Sequence, residues 1–191
     1  MQTFNNNKIR ILGIDPGSIF CGYGVIEING KSMEVVEYGT IEVKKKSDDI
    51  TLRMKEIYEK ISNVIHRTQP NSASIEANFY AKNAQSLIKL TMARSAALLA
   101  IVNNGLTVSE YSAKEIKRSV TGKGSASKEQ VHFMMRALLN IKENIDFFDT
   151  TDALAIAVCH FNNSGNALKN TKSWKQFIKE NPDKILKLTT N

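Results

Sequence analysis

The sequence contains only two cysteines, Cys21 and Cys159, which are far apart in the chain. They cannot form a disulfide framework, and no pair has the spacing of a zinc or redox motif. This scarcity favours a reducing compartment. The sequence also has no run of about 18 or more apolar residues, as a membrane span would need, and its N-terminal stretch MQTFNNNKIR lacks the apolar core of a signal peptide. We therefore expect a cytoplasmic protein without a membrane partner.

Acidic residues are too few to balance the basic ones. The 191 residues include 26 Lys and Arg against 19 Asp and Glu, which gives a net charge of +7. Such an excess indicates a polyanionic partner, for example a nucleic acid. Much of the excess lies in two segments, 114–128 and 165–191, and either segment alone is more simply interpreted as an ordinary solvated surface. We interpret residues 1–163 as one domain and the polar, lysine-rich residues 164–191 as a basic tail of unknown role.

The order of the predicted elements is that of a mixed α/β sheet with crossover helices on its faces. Period-two and buried apolar runs predict strands at 9–15, 21–28, 32–43, 72–76 and 106–111. Helical spacing predicts helices at 48–70, 84–105, 112–120, 127–141 and 149–161. The second of these helices is apolar on more than one side, so we expect it to pack on the sheet and also against a partner.

Carboxylates stand where two of these strands end and where the last helix begins. Asp15 closes the strand ILGID, and Pro-Gly then turns the chain. Glu76 closes the strand SASIE, while Asp149 and Asp152 share one side of a first helical turn. At this point two simpler interpretations remain open: Asp15 only hydrogen-bonds its turn, and Asp149 only caps its helix.

If these four carboxylates converge, they repel one another unless cations lie between them. Carboxylate oxygens suit hard ions such as Mg²⁺, and two such ions would balance four carboxylates. A pair of ions about 3.5–4 Å apart can activate water and stabilise both oxygens of an in-line phosphoryl displacement. The pattern therefore suits metal-assisted phosphoryl displacement, on the inference that the four carboxylates converge in the fold.

Four segments together resemble the RuvC family of bacterial Holliday-junction resolvases, within the RNase H-like superfamily. They are GIDPG followed by GYGV, then IEANFYAKNAQS, EYSAKEIKRSVTGKGSASKEQV and DTTDALAIA, in order over about residues 9–163. The resemblance implies an RNase H-like mixed five-stranded sheet with helices on both faces. It also implies a structure-specific endonuclease of DNA recombination and repair, which resolves four-way junctions by paired nicks. The implied assembly is a homodimer that works with a RuvAB branch-migration complex.

The resemblance also assigns roles residue by residue. The matches to the catalytic, metal-binding carboxylates are Asp15, Glu76, Asp149 and Asp152, and the implied cofactor is Mg²⁺, two ions per site, with Mn²⁺ as a substitute. Phe79 matches an aromatic residue that lies by the active site and helps to open the junction. The lysines expected to contact DNA are Lys82, Lys117 and Lys128. The chain departs from the family pattern at Ala77 and Asn78, where Gln-Val is commoner.

Three other interpretations compete with a junction resolvase. A sugar-kinase or actin-like ATPase shares the GIDPG-type loop, but it needs two duplicated domains to clamp ATP, and 191 residues are too few. A non-catalytic junction-binding protein gains nothing from acidic residues that face DNA phosphates. A related nuclease that acts on RNA–DNA hybrids would use the same carboxylates. We interpret His132 and His160 as structural residues and not as metal ligands.

Overall fold

The computed structural model describes residues 8–30, 32–43, 49–77, 83–141 and 148–164, with the side chains of 148 and 149 excepted. This part of the chain forms five strands and five helices. The strands are β1 (Lys8–Asp15), β2 (Phe20–Asn29), β3 (Ser32–Glu42), β4 (Ser72–Glu76) and β5 (Val108–Tyr111). The helices are α1 (Ile50–Thr68), α2 (Ala84–Asn103), α3 (Ala113–Thr121), α4 (Lys128–Leu139) and α5 (Phe148–Asn163). Each predicted element is therefore present, and the ends differ by a few residues.

The five strands form one mixed sheet in the order β3-β2-β1-β4-β5. The first three strands pair as an antiparallel meander, and β4 and β5 then add in parallel to β1. The meander turns at Gly30, whose φ of 60° lies in the left-handed region that glycine adopts readily. Parallel pairing aligns Ile14 with Ile75, so the next residues, Asp15 and Glu76, end their strands side by side. The predicted mixed sheet is confirmed.

Helices cover both faces of the sheet, as predicted. Alternate residues of β1 point to opposite faces. Leu12 and Ile14 join the core beneath α1 and α2, while Ile11 joins the core beneath α3, α4 and α5. Asp15 follows the same alternation as Ile11 and therefore lies on the α5 face. Both cysteines are buried and free, and burial raises the pKa of the Cys159 thiol to about 11.

Gly13 allows α5 to lie unusually close to β1. A Cβ atom at this position would overlap the backbone carbonyl oxygen of Ala153 and would lie 2.7 Å from the backbone nitrogen of Ala157. Both obstacles belong to the helix backbone, so no side-chain movement can relieve them. The glycine therefore sets the distance between the end of β1 and the first turns of α5, where the predicted carboxylates lie.

We expect Gly13→Ala to lower the free energy of unfolding by about 1–3 kcal/mol, because the added methyl group must push α5 away from the sheet. Urea denaturation of the purified variant measures this loss. The matched control is Gly39→Ala, whose added Cβ would lie 2.8 Å from the Tyr23 hydroxyl, the far end of a side chain that can move. A smaller loss for Gly13→Ala than for the control would contradict the role of the close approach.

Helix α2 is apolar on two sides, as the sequence predicts. One side is buried against the sheet and α1 through alanines such as Ala93, Ala97 and Ala100. The opposite side carries Ile88, Leu99 and Val102, which are 58%, 53% and 57% exposed. By length and composition, α2 is the one helix in the described ranges that could cross a membrane. Its packing on the sheet and α1 makes it a core helix with one uncovered face.

Candidate active site

Asp15 and Glu76 form the floor of the candidate site at the edge where β1 and β4 end. The carboxyl group of Glu76 lies within hydrogen-bond reach of that of Asp15. A hydrogen bond between two carboxyl groups requires one of them to hold a proton. The two strand ends therefore hold two acidic groups so close together that they share a proton or need a cation between them.

Burial raises the pKa of Glu76 above its usual range, and repulsion from the Asp152 carboxylate adds to this rise. The hydrogen bond to Asp15 and the positive charges of Lys128 and Lys117 act in the opposite direction. Glu76 of β4 therefore interacts with groups from β1, α3, α4 and α5. A partly buried acid with this set of neighbours is characteristic of a functional site.

Asp152 lies in the second turn of α5 and faces Glu76 across the sheet edge. Its Oδ2 atom accepts a hydrogen bond of 3.1 Å from the Nζ atom of Lys128. The Lys128 side chain is 60% exposed and that of Asp152 is 20% exposed, so the ion pair stands at the mouth of the site. Pairs this exposed contribute only about 0.2–1 kcal/mol. A divalent cation or a DNA phosphate can therefore compete for either partner.

The local sequence holds both site lysines on well-capped helices. Helix α4 begins at Lys128 after Ser127, whose side chain caps the helix reciprocally with Gln130. Ser112 and Glu115 form the same type of capping box at the start of α3, which carries Lys117. A lysine in the first turn opposes the helix dipole, at a cost of about 0.3–1 kcal/mol. The position of Lys128 thus does not stabilise α4, and its interaction with Asp152 in the site is what accounts for it.

The structure brings together five of the eight predicted site residues: Asp15, Glu76, Asp152, Lys117 and Lys128. Asp149 lies within the first turn of α5, which begins at Phe148, and its side chain is outside the described residues. Phe79, Lys82 and residues 165–191 of the predicted tail also lie outside them. Their assigned roles stay predictions.

The described carboxylates suit a hard cation in charge and chemistry, since they are oxygen ligands and the Asp152 carboxylate repels that of Glu76, whose pKa is raised. Within the described ranges, however, no three Asp, Glu, His or Cys side chains are arranged to hold a metal ion together. Asp152 instead contacts Lys128. The residues fit a metal site in which Asp15, Glu76 and Asp152 would supply oxygen ligands, and in which Lys128 would compete with an ion for Asp152.

Sequence reasoning missed the contacts that hold α5 in place. The hydroxyl groups of Thr40 and Thr150 lie 3.1 Å apart and link β3 to the first turn of α5. On β4, Ser72 and Ser74 face α5 on the same side as Glu76, and both hydrogen-bond to groups of α5. The alternation in SASIE is the signal that could have revealed this polar row, because it places serine, serine and glutamate on one face.

Carboxylates from two neighbouring strand ends and from a helix packed on the same sheet, with lysines beside them, define a nuclease of the RNase H-like type. The family model for "Crossover junction endodeoxyribonuclease RuvC" matches residues 11–160. The chain therefore belongs to the RuvC family of crossover junction endodeoxyribonucleases, enzymes that resolve Holliday junctions in DNA recombination and repair. Nucleases of this family are metal-dependent.

Individual relatives support the same assignment. The RuvC crossover junction endodeoxyribonuclease of Cytophaga hutchinsonii is 42% identical over 175 residues, which cover 92% of this chain and 87% of the relative. That of Geobacter sulfurreducens is 47% identical over 156 residues, which cover 82% and 94%. A solved structure of Thermus thermophilus RuvC in complex with a Holliday junction substrate superimposes with a TM-score of 0.76 at 28% identity, over 83% of this chain and 97% of the other. The ATPase interpretation is therefore set aside in favour of a DNA-acting, non-membrane enzyme.

Proposed function

We propose that this endonuclease resolves four-way junction DNA by hydrolysing one phosphodiester bond in each of two strands, with Mg²⁺ held by Asp15, Glu76, Asp149 and Asp152. The observation that carries the proposal is the meeting of the β1 and β4 carboxylates with Asp152 of α5, beside two lysines. A pure DNA-binding protein would be weakened by this acidic cluster, because it repels phosphates. A hydrolase needs such a cluster to hold cations.

The chain's own residues divide the work of such a reaction. Bound Mg²⁺ would supply charge stabilisation and an activated water molecule for in-line attack on phosphorus. Asp15 and Glu76, on rigid strand ends, would hold the ions in place from the floor of the site. Asp152 and Asp149 would close it from α5. Lys128 and Lys117 would bind the phosphate of the scissile strand once DNA enters.

A cleavage panel tests the substrate class. The purified protein is incubated with Mg²⁺ and with one of three labelled substrates: a four-way junction, a linear DNA duplex or an RNA–DNA hybrid of the same sequence. We expect symmetric nicks in the junction and little cutting of the other two substrates. Faster cutting of the hybrid than of the junction would favour the alternative nuclease. Omission of the metal ion is expected to stop all cutting.

We expect Lys128→Gln to have opposite effects on metal binding and on catalysis. The variant loses the cation that competes for Asp152, so Mn²⁺ should bind the free protein up to about fivefold more tightly, which corresponds to the 0.2–1 kcal/mol of an exposed pair. It also loses a phosphate contact, so nicking should slow by about tenfold or more. Titration of Mn²⁺ by electron paramagnetic resonance and a single-turnover nicking assay measure the two effects.

Two variants serve as controls for Lys128→Gln. Lys128→Arg keeps the charge and should retain most of the nicking rate. Lys114→Gln removes a lysine of α3 that has no contact with the site carboxylates among the described residues, and it should change neither measurement. Weaker Mn²⁺ binding by Lys128→Gln would show that the lysine supports the metal site and does not compete with the ion.

We further propose that the active form is a homodimer joined through α2. Apolar and small residues follow one another on its uncovered side at alternating intervals of four and three: Ile88, Met92, Ser95, Leu99 and Val102. This is the spacing of a helix–helix seam, and it extends for about 21 Å at 1.5 Å per residue. Two-fold pairing of this stripe would give two active sites for a junction that has approximate two-fold symmetry.

The predicted tail is proposed to add DNA affinity that does not depend on sequence or structure. Its six lysines outnumber its two acidic residues. Each phosphate contact steepens the dependence of log K on log salt by about 0.9 for B-DNA. A chain that ends at Asn163 should therefore bind junctions with a flatter salt dependence, while its nicking rate at saturating protein stays near that of the full chain. An unchanged slope in salt titrations would reject this role.

Phe79 and Lys82 are proposed to contact the unpaired bases and the backbone at the crossover. RuvAB is proposed as the partner complex.

A further inference from the structure

A row of polar side chains joins β4 to α5 beneath the candidate active site. Ser72, Ser74 and Glu76 occupy alternate positions of β4 and face α5, whereas Ala73 and Ile75 face the opposite core. The Ser74 side chain is fully buried and donates a 3.2 Å hydrogen bond to the carbonyl oxygen of Ile156. A strand that packs under a helix usually presents apolar side chains to it. Apolar packing therefore does not explain this polar row.

The row matches the helix step by step. Glu76 faces Asp152, Ser74 bonds to Ile156, and the Ser72 hydroxyl lies 3.1 Å from the Nε2 atom of His160. Four residues of helix advance about 6 Å, and two residues of strand advance about 6.6 Å. The helix therefore runs antiparallel to the strand with one matched contact for each turn. The helix and the strand advance by nearly the same distance between successive contacts. A contact that holds α5 at Ser72 therefore also determines where Asp152 lies relative to Glu76.

His160 anchors the end of the row that lies farthest from the carboxylates. It is only 8% exposed, and both ring nitrogens are used. While Nε2 contacts Ser72 of β4, Nδ1 lies 2.9 Å from the hydroxyl oxygen of Tyr111 on β5. Burial lowers the pKa of His160 and so favours the neutral ring, in which one nitrogen donates a hydrogen bond and the other accepts one. Tyr111 is also the residue that pairs with Glu76 across β4 and β5.

We propose that His160 is a positioning residue, which fixes how far α5 extends along β4 and thereby sets the spacing of Asp152 from Glu76. The close packing on Gly13 sets how near α5 lies to the sheet, whereas the hydrogen bonds of the polar row act on its position along β4. Hydrogen bonds are directional and lengthen when the helix slides. This inference rests on the proposed metal-dependent function, because the spacing matters only if the two carboxylates act on the same ions.

The test removes the hydrogen bonds of His160 while it largely keeps the volume of the side chains. The variants are His160→Phe, Ser72→Ala and Tyr111→Phe, and each is measured for Mn²⁺ affinity without DNA, for the Mg²⁺ concentration that gives half-maximal nicking, and for melting temperature. We expect His160→Phe to weaken Mn²⁺ binding by about tenfold, as is typical when a residue that orients metal ligands is lost. The two smaller deletions should each weaken it severalfold. They also keep the test decisive if His160→Phe does not fold.

A matched control separates positioning from simple stability. Ser119→Ala removes the hydrogen bond of 3.0 Å that Asn162 of the same helix donates to Ser119 of α3. It should lower the melting temperature to an extent similar to Ser72→Ala but leave Mn²⁺ affinity unchanged. Equal metal affinity in wild type and all three anchor variants, together with lower melting temperatures, would overturn the positioning role. Failure of the wild-type protein itself to bind Mn²⁺ would refute the metal site and, with it, the inference.

Discussion

Asp15→Asn is expected to slow the nicking of junction DNA by about a thousandfold or more, which corresponds to the several kcal/mol that a bound metal ion contributes to such a reaction. The amide keeps the shape of the side chain but removes one of the charges that hold the cation. The fold should not suffer, because removing one of several clustered carboxylates relieves repulsion when no metal is bound.

Binding and cleavage by this variant are expected to separate. In EDTA, a gel shift should show junction affinity equal to or greater than that of the wild type, since one acidic group facing DNA phosphates is gone. In Mg²⁺, the nicking rate should be near the background. The matched control is Asp49→Asn, which changes the net charge equally at the N-cap of α1, where asparagine caps as well as aspartate. This control should behave as the wild type in both assays.

Two outcomes would contradict the role of Asp15. Nicking near the wild-type rate would remove it from the active site. A joint loss of junction binding and thermal stability would instead support the simpler interpretation, in which Asp15 only holds the turn at Pro16 and Gly17.

Leu99→Glu is expected to dissociate the proposed homodimer. Leu99 lies in the apolar stripe of α2 and is 53% exposed, so the single chain should tolerate a charge there. In a two-fold interface the substitution is present in both protomers. The dimer therefore loses the burial of two leucine side chains, about 3 kcal/mol or more. The dissociation constant should therefore rise roughly a hundredfold or more. Sedimentation equilibrium over a range of protein concentrations measures this change.

The same variant should uncouple the two nicks. On a supercoiled plasmid that extrudes a cruciform, paired nicks within one binding event give linear DNA, whereas separate single nicks give open circles. We expect linear product from the wild type and open circles from Leu99→Glu. Leu52→Glu is a matched control on α1, since Leu52 is also 53% exposed but lies outside the stripe. A dimer that persists in Leu99→Glu, with linear product, would place the interface elsewhere on the molecule.

Local patterns in the sequence predicted the elements well. The strands around the GIDPG segment and in SASIE alternate or run apolar between clear turn residues, and the helices begin at capping residues such as Ser112 and Ser127. These signals are local because they depend on backbone geometry and on side chains one to four residues apart. The exposed apolar side of α2 was also predictable, since a helix that is apolar on more than one side exceeds what a single sheet face can cover.

The candidate site was predictable in composition but not in arrangement. Asp15, Glu76, Asp152, Lys117 and Lys128 were all predicted from the sequence, largely through resemblance to a family. Their distances follow from the register of β1 against β4 and from the depth at which α5 packs on Gly13. Lys128 and Asp152, which form an ion pair, are 24 positions apart in the chain. His160 and its partner Ser72 are 88 positions apart. No pattern within a segment encodes such pairs.

The sequence by itself determined which residues end strands, which begin helices, and that carboxylates stand at three of those points with a basic excess elsewhere. Only the tertiary structure decided that the carboxylates face one another, that Lys128 holds Asp152, and that a row of serines aligns β4 with α5. The physical reason is range. Backbone preferences and side-chain periodicity act over a few residues, whereas the spacing of a multi-carboxylate site is set by strand register and helix packing, which are settled only when distant segments are buried against each other.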